Sequence, residues 1–310
     1  MQKRLLLGPQ RPVRNLHEAI AHAGLPDGRI AVISAGWQEA DGDIDDVREI
    51  VNRPLVDLTL YHRAEDVFTA DTQLRDAYRE RQDRLIELQR LYRTRLRYLM
   101  LAARHTMRAE GDPAAIAAEL RHAISQLRAL DRHHLRRIRA INADYAATFD
   151  VKLRDSLAQH ADAISKILND CETIMITGGN VVVLLNRLRL FGVDRLLRDK
   201  HLIAWSAGAM VLSDRIVLYH DRTPEGRREP EMLGAGAGVI PGYVFMPDAK
   251  RRLRLADTVR VDLLGRRFGP ASCLTLDSGA KLLFAGNTMQ QAELVRQMAH
   301  GGKLVRVRAA

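Results

Sequence analysis

The residues best placed for covalent chemistry lie in His201-Leu-Ile-Ala-Trp-Ser-Ala-Gly-Ala-Met210. An apolar run ends at Trp205, Ser206 follows, then small residues that open a helical pattern. This is the layout of a nucleophile elbow: a sharp strand-to-helix turn strains the serine backbone and tolerates only small neighbours two positions away. Here those neighbours are Ala204 and Gly208. The hydroxyl would project over the C-terminal edge of a sheet, where open α/β folds bind ligands. The Ala207 amide, at the helix start, is placed to donate to an oxyanion. Small residues at these positions also serve plain helix–strand packing. A second pattern, Thr177-Gly-Gly-Asn180, again joins a strand to a helix. Adjacent glycines expose amides and let a ligand approach the backbone. Gly179 then offers a second oxyanion donor, with Gly178 and Asn180 bordering the same site. The plainer reading is a βα turn with Asn180 as helix N-cap. The elbow lies one crossover further along the chain.

Together these patterns resemble the S51 peptidase family, the dipeptidase E and cyanophycinase relatives of class I glutamine amidotransferases. The resemblance continues in Gly238-Val-Ile-Pro-Gly-Tyr243 and in Leu276-Asp277-Ser278-Gly279-Ala280, which is similar to the strand end carrying the family's acidic residue. It covers roughly residues 150–290 and the N-terminal part more loosely. It implies a Ser206 nucleophile and hydrolysis of peptide or amide bonds. One position departs. The family's histidine follows the Pro-Gly segment in a Pro-His pair, and here the pair is Pro247-Asp248. A carboxylate of ordinary pKa, about 4, is a poor base at neutral pH.

His220, in Leu218-Tyr-His-Asp221, is the nearest replacement base in sequence, and Asp277 takes the place of the family's acid. Each has a plainer reading: His220 as a surface histidine beside Asp221, and Asp277 as a turn former before Ser278-Gly279. Two functions are carried forward. One is a serine hydrolase with Ser206, His220 and Asp277 catalytic, Gly179 and Ala207 as the oxyanion hole, and Gly178, Asn180 and Asp248 in the site. The other is a disabled S51-like binding or scaffold protein working through a basic helical insertion.

Other candidates carry less. His201 starts the strand at the end opposite the elbow. His133-His134 share helical spacing with arginines and read as a surface face. Cys171 and Cys273 stand far apart, outside any CxxC or Cys/His cluster, so neither a zinc site nor a disulfide is expected. Cysteine at the elbow would be needed for glutamine-dependent amide transfer, and the residue is serine. Gly234-Ala-Gly-Ala-Gly238 lacks the strand-then-helix frame of a dinucleotide loop and is read as a plain loop. No cofactor and no metal are expected. Lys250-Arg-Arg-Leu-Arg254 reads as a solvated basic helix face or, if the helix borders the pocket, as an attractor of a substrate carboxylate or an acidic polymer.

The elements that must position these residues fall into three stretches. Over 1–69, Lys3–Leu7, Arg29–Ser34 and Leu55–Leu60 read as strands separated by helices at Val13–Ala23 and Asp43–Val51, a βαβ rhythm that implies a parallel sheet. Over 70–149 the period is helical throughout, with Leu85, Leu88, Tyr92, Leu96 and Leu99, then Ile116, Leu120, Ile124 and Leu127. Gly111-Asp112-Pro113 interrupts once, with Asp112 as N-cap and Pro113 at the first helical position. This is a long hairpin carrying sixteen arginines against eight acids between Arg75 and Arg139; an arm, a lid or a dimerisation element all fit. Over 150–310 the α/β texture returns. An amphipathic helix at Leu153–Leu168 precedes strands at Thr173–Thr177, Leu202–Trp205, Arg215–Tyr219, Ala271–Leu276, Lys281–Ala285 and Lys303–Arg308. Helices are expected at Val182–Leu190, Asp248–Leu264 and Thr288–Ala299. The fold expected is three-layer α/β with a mostly parallel sheet, similar to the class I glutamine amidotransferase and flavodoxin-like fold. Its domain spans 1–69 and 150–310, and the helical insertion spans 70–149.

The whole composition sets bounds on this. The chain has 310 residues, 46% of them hydrophobic and 28% charged, which is globular and long enough for a sizeable core. Aromatics at 5% leave few stacking platforms for single-stranded nucleic acid. The formal charge of +10 is nearly all arginine and fits a salt-bridged helical surface better than a nucleic-acid site. The N-terminal leucines lack a secretory pattern, and no apolar window spans a membrane. A cytoplasmic protein is expected, acting on a peptide or small amide, with a homo-oligomer, such as a dimer through the insertion.

Overall fold

A computed structural model describes residues 1–149, 154–222 and 228–309. The chain begins with β1 (Lys3–Leu7), α1 (Leu16–Ala23), β2 (Ile30–Ile33), α2 (Asp45–Ile50), β3 (Leu55–Asp57) and α3 (Leu60–Ala70). Two 36-residue helices follow, α4 (Thr72–Met107) and α5 (Pro113–Thr148). Next come α6 (Asp155–Asn169), β4 (Thr173–Ile176), α7 (Val181–Leu190), β5 (His201–Trp205), α8 (Ala207–Val211), β6 (Arg215–Leu218), β7 (Glu231–Ala235) and β8 (Tyr243–Pro247). The last stretch holds α9 (Ala249–Arg252), α10 (Thr258–Phe268), β9 (Ser272–Leu276), β10 (Lys281–Ala285), β11 (Thr288–Glu293), β12 (Arg296–Met298) and β13 (Leu304–Arg306).

The main sheet has the order β11-β10-β1-β5-β4-β2-β3. Its five strands from β1 to β3 are parallel, and β10 and β11 extend it antiparallel. The unbroken apolar runs of β2 and β4 suit strands buried on both faces. Period-two alternation sorts their side chains. Leu5, Leu7, Ile30, Val32, Met175 and Ile203 face Leu16 and Ile20 of α1 and Val47 of α2. Leu6, Ile33, Ile174, Ile176 and Leu202 face the larger core with Ile164, Leu184 and Leu188. The result is the three-layer, mostly parallel α/β architecture. A second sheet, β13-β12-β9-β8, has β8 and β9 parallel, and β6 pairs with β7 as a ribbon. Among the described residues no helix is long and apolar enough to cross a membrane.

Three expectations need correction. Thr288–Ala299 is not a helix: it forms β11 and β12, which pair with β10 and β9 and turn at Leu294 with φ 54°. Available sheet edges outweigh the helix propensity of its Gln, Glu, Met and Ala residues. Asp248–Leu264 is two helices rather than one. Leu253 turns extended after α9, and Asp257 restarts the helix by accepting from the Arg260 amide at 3.0 Å. The glycine-rich stretch read as a loop begins inside β7. In addition, the strand expected to reach Leu60 stops at Asp57, where Thr59 takes φ 45° and starts α3. Leu153, the expected start of the amphipathic segment, lies outside the described residues, as does the boundary residue Asp150.

The α4–α5 hairpin turns where Asp112 accepts from the Ala114 and Ala115 amides, with Pro113 at the first turn. It is fastened to the α/β core by a buried polar network. Arg267 of α10 is completely buried and donates to both oxygens of Asp131 at 2.7 Å, to Tyr92 Oη at 2.6 Å and to the Pro230 carbonyl at 2.7 Å. Tyr92 Oη donates to Asp131 Oδ1 at 2.8 Å. His134 stacks on the Tyr92 ring at 4.0 Å and pairs through Nε2 with Gln89. His134 was expected on a surface face, but it is buried here because it lies on the stripe that meets α4.

Candidate active site

Ser206 leaves β5 with φ 51° and ψ −119° and caps α8. A side chain in this region is strained by about 1–3 kcal/mol unless its surroundings fix it. They do so through glycine. A Cβ on Gly208 would strike the Ile176 and Thr177 carbonyls, and one on Gly178 would sit 3.0 Å from Ser206 Cβ. The ends of β4 and β5, in register at Ile176 and Ala204, thus clamp the serine from both sides.

The Thr177–Asn180 turn is pinned at its ends. Thr177 donates to the Ile33 carbonyl at 3.0 Å and Asn180 to the Gly36 carbonyl at 2.6 Å. Between them, the Gly178 and Gly179 amides have no backbone partner among the described residues. Gly179 takes φ 99°, and a Cβ there would run into the Gly36 carbonyl. Asn180 caps α7, accepting from Val182 at 3.0 Å and Val183 at 3.3 Å, so its capping reading is realised. Ala207 is the first residue of α8, whose amide has no intrahelical acceptor. The Gly178, Gly179 and Ala207 amides are therefore without a backbone acceptor among the described residues.

Ser206, Ala207 and Gly179 open into a cavity of about 410 Å³. His220, Tyr219, Asp248, Arg251, Arg252, Glu231 and Arg93 also line it. His220 shares this cavity with Ser206, yet no hydrogen bond joins them; His220 Nδ1 accepts from the Arg222 amide at 3.3 Å. The segment around it is held firmly. Buried Asp221 pairs with Arg260 and accepts from the Arg254 amide at 2.9 Å. Tyr219 Oη donates to the Pro247 carbonyl at 2.5 Å, and burial pushes its phenol well above the usual range.

Asp248 follows β8 with φ 58°, its amide bonded to the Leu276 carbonyl at 3.0 Å. Its Oδ2 accepts from Arg251 Nε at 2.7 Å, and Arg252 Nε lies 3.6 Å away. The basic run is exposed and also lends two arginines, Arg251 and Arg252, to the cavity rim. Asp277 makes no hydrogen bond to His220 and is not among the residues lining the cavity. It is buried behind the wall, with Oδ1 accepting from the Lys250 amide at 2.7 Å and Oδ2 without a partner. It follows β9 in the second sheet, whereas His220 follows β6.

The remaining candidates fall away from the cavity. His201 accepts from the Lys3 amide at 3.1 Å at the far end of β5. Cys171 and Cys273 are free and buried, and burial pushes the Cys273 thiol up to about 12. Among the described residues no three His, Cys, Asp or Glu side chains cluster to hold a metal.

Two contributors escaped the sequence reading. The 35–42 segment after β2 braces the glycine turn; its only signal was the Ala35-Gly36 pair at a strand end. Arg93 comes from the insertion and donates to Glu231 of β7 at 2.8 Å, which brings the hairpin into the cavity wall.

Residues 145–289 match the family model of Peptidase family S51. A crystal structure of a peptidase from an acI-B1 Actinobacterium is similar over 100% of this chain and 95% of that one, at 13% identity and a TM-score of 0.45. No curated protein matches the chain.

Proposed function

We propose that the chain hydrolyses peptide or amide bonds, with Ser206 as the nucleophile. The observation that carries this is the Ser206 backbone, held at φ 51° by a clamp of glycines and facing a cavity. Glycine would relax that conformation at no steric cost; a serine there presents a hydroxyl. The match of residues 145–289 to an S51 family model supports the same class of chemistry. In this reading Ser206 Oγ attacks the carbonyl carbon, and the Gly179 and Ala207 amides receive the negative charge that develops on oxygen. The amine leaves with a proton, and water then releases the acyl group.

His220 is the base in the cavity. The Arg222 contact makes Nδ1 an acceptor, so the neutral ring carries its proton on Nε2. Accepting the serine proton requires the ring to give up this long bond or present Nδ1 inward. Asp248, ion-paired with Arg251, shapes the cavity wall beside it.

A second reading is favoured by the same two residues. With aspartate at 248 and, among the described residues, no carboxylate hydrogen-bonded to His220, the site binds peptides without turning them over, and the arginine-rich hairpin becomes the working surface. Labelling by a fluorophosphonate separates the two. Wild type should label, and Ser206→Ala and His220→Ala should lose the label. If wild type stays unlabelled while Asp248→His labels, the hydrolase reading fails and the binding reading holds.

A further inference from the structure

The C-terminal ends of β2 and β3 hold a hydrogen-bond cluster that the chemistry above does not use. Ser34 Oγ lies 2.6 Å from Asp41 Oδ1 and 2.6 Å from Asp57 Oδ2. The Gly42 amide also donates to it at 2.9 Å. The other carboxylate oxygens are engaged too: Tyr61 N–H donates to Asp41 Oδ2 at 2.7 Å, and Thr59 N–H to Asp57 Oδ1 at 2.6 Å. A hydroxyl carries one proton. It can donate to only one of the two carboxylates. The other, at the same short distance, would press a negative oxygen against a lone pair. Both contacts close only if one acid brings a proton of its own.

The surroundings favour Asp57 as the carrier. Loss of water around it outweighs its hydrogen bonds and pushes its carboxyl up to about 6. Asp41 adds a like charge, while Arg48 on α2 pulls the other way. On the α3 side stands Tyr61, whose hydroxyl donates to Glu39 at 3.0 Å, with His62 next to it.

The cluster closes the loop from Ser34 to Gly42, and that loop touches the candidate active site. Its Gly36 carbonyl accepts from Asn180, and neither Gly36 nor Gly179 has room for a Cβ at their contact. Gln38 in the same loop is strained at φ 61°, ψ −117°. We infer that one extra proton shared among Ser34, Asp41 and Asp57 fastens this loop against the Gly178-Gly179 turn, which makes Asp57 a proton-dependent positioning residue for the Ser206 cavity. The fastening is independent of turnover; its bearing on catalysis rests on the hydrolase reading.

The proton is held at low pH. Once it leaves, two carboxylates face one hydroxyl and the loop slackens. The chain's two tryptophans report on this directly, since Trp37 lies in the loop and Trp205 immediately precedes Ser206. Intrinsic fluorescence of the full chain, titrated across this range, should show a transition with its midpoint near 6. Asp57→Asn donates to Ser34 Oγ at every pH and should lose the transition. A wild type without it, or an Asp57→Asn protein that keeps it unmoved, overturns the inference. Should Asp57→Asn fail to fold, Asp41→Asn serves: with one carboxylate left, Ser34 donates to Asp57 and the midpoint should fall by about one pH unit or more. An unmoved midpoint there also overturns it. Fluorescence needs no substrate, so an unreactive Ser206 leaves the result readable.

Discussion

A serine at φ 51° is stable only because its neighbours leave it no alternative. Ser206→Gly should therefore raise stability by about 1 kcal/mol while abolishing labelling, since glycine reaches this conformation without strain. Urea unfolding of Ser206→Gly beside Ser206→Ala measures the difference, and equal midpoints would mean the strain is not stored there. Gly208→Ala should act oppositely, costing about 1–3 kcal/mol, because its methyl would press on the Ile176 and Thr177 backbone carbonyls. These positions were legible in the sequence because their constraints are local: a strand, a turn and a helix within ten residues dictate small side chains. Asp248, directly after Pro247 at a strand end, was legible for the same reason. Arg93 was not, because only the tertiary fold brings α4 to the cavity wall. Nor was the hydrogen bond from the Lys250 amide to Asp277, which depends on how α9 meets the end of β9.

Between elements, the buried Arg267–Asp131–Tyr92 group decides whether the hairpin stays on the core. Asp131→Ala would leave a guanidinium buried without its carboxylate and should cost about 3–5 kcal/mol. The expected readout is a large drop in the urea midpoint, or separate unfolding of the hairpin; a change under about 0.5 kcal/mol would contradict it. The existence of α4 and α5 followed from periodicity and from Asp112-Pro113, yet their docking did not. Tyr92, Asp131 and Arg267 sit among polar and apolar positions alike, and only the fold shows that they hydrogen-bond one another, with His134 stacked on the Tyr92 ring. The misread 288–299 stretch shows the converse: good helix formers become strands when two sheet edges need partners.

For the whole molecule, acid stability follows from two buried groups of opposite sense. Burial pulls the His134 imidazole down to about 4, against about 6.5 in an unfolded chain. It therefore contributes stability above that unfolded value, lost as pH falls toward 4. Asp57, raised to about 6, contributes stability that is complete below its unfolded value of about 3.9 and lost as pH rises through 6. Melting temperatures measured across pH 4–6.5 should thus be flattened by mutual opposition. Asp57→Asn should steepen the acid loss, and His134→Phe should reverse the slope; identical profiles for all three proteins would refute the assignment.

The strand order of the main sheet has a further consequence. Strands β1, β2 and β3 precede the hairpin, and β4 and β5 follow it, but in space β5 and β4 lie between β1 and β2. The two halves of the chain are dovetailed, and neither contains a finished sheet. Gly111, exposed at the hairpin bend, is where a protease would cut with least disturbance. A molecule nicked there would not fall into two domains. It would persist as a two-chain protein, and either fragment alone would present bare strand edges in search of the other.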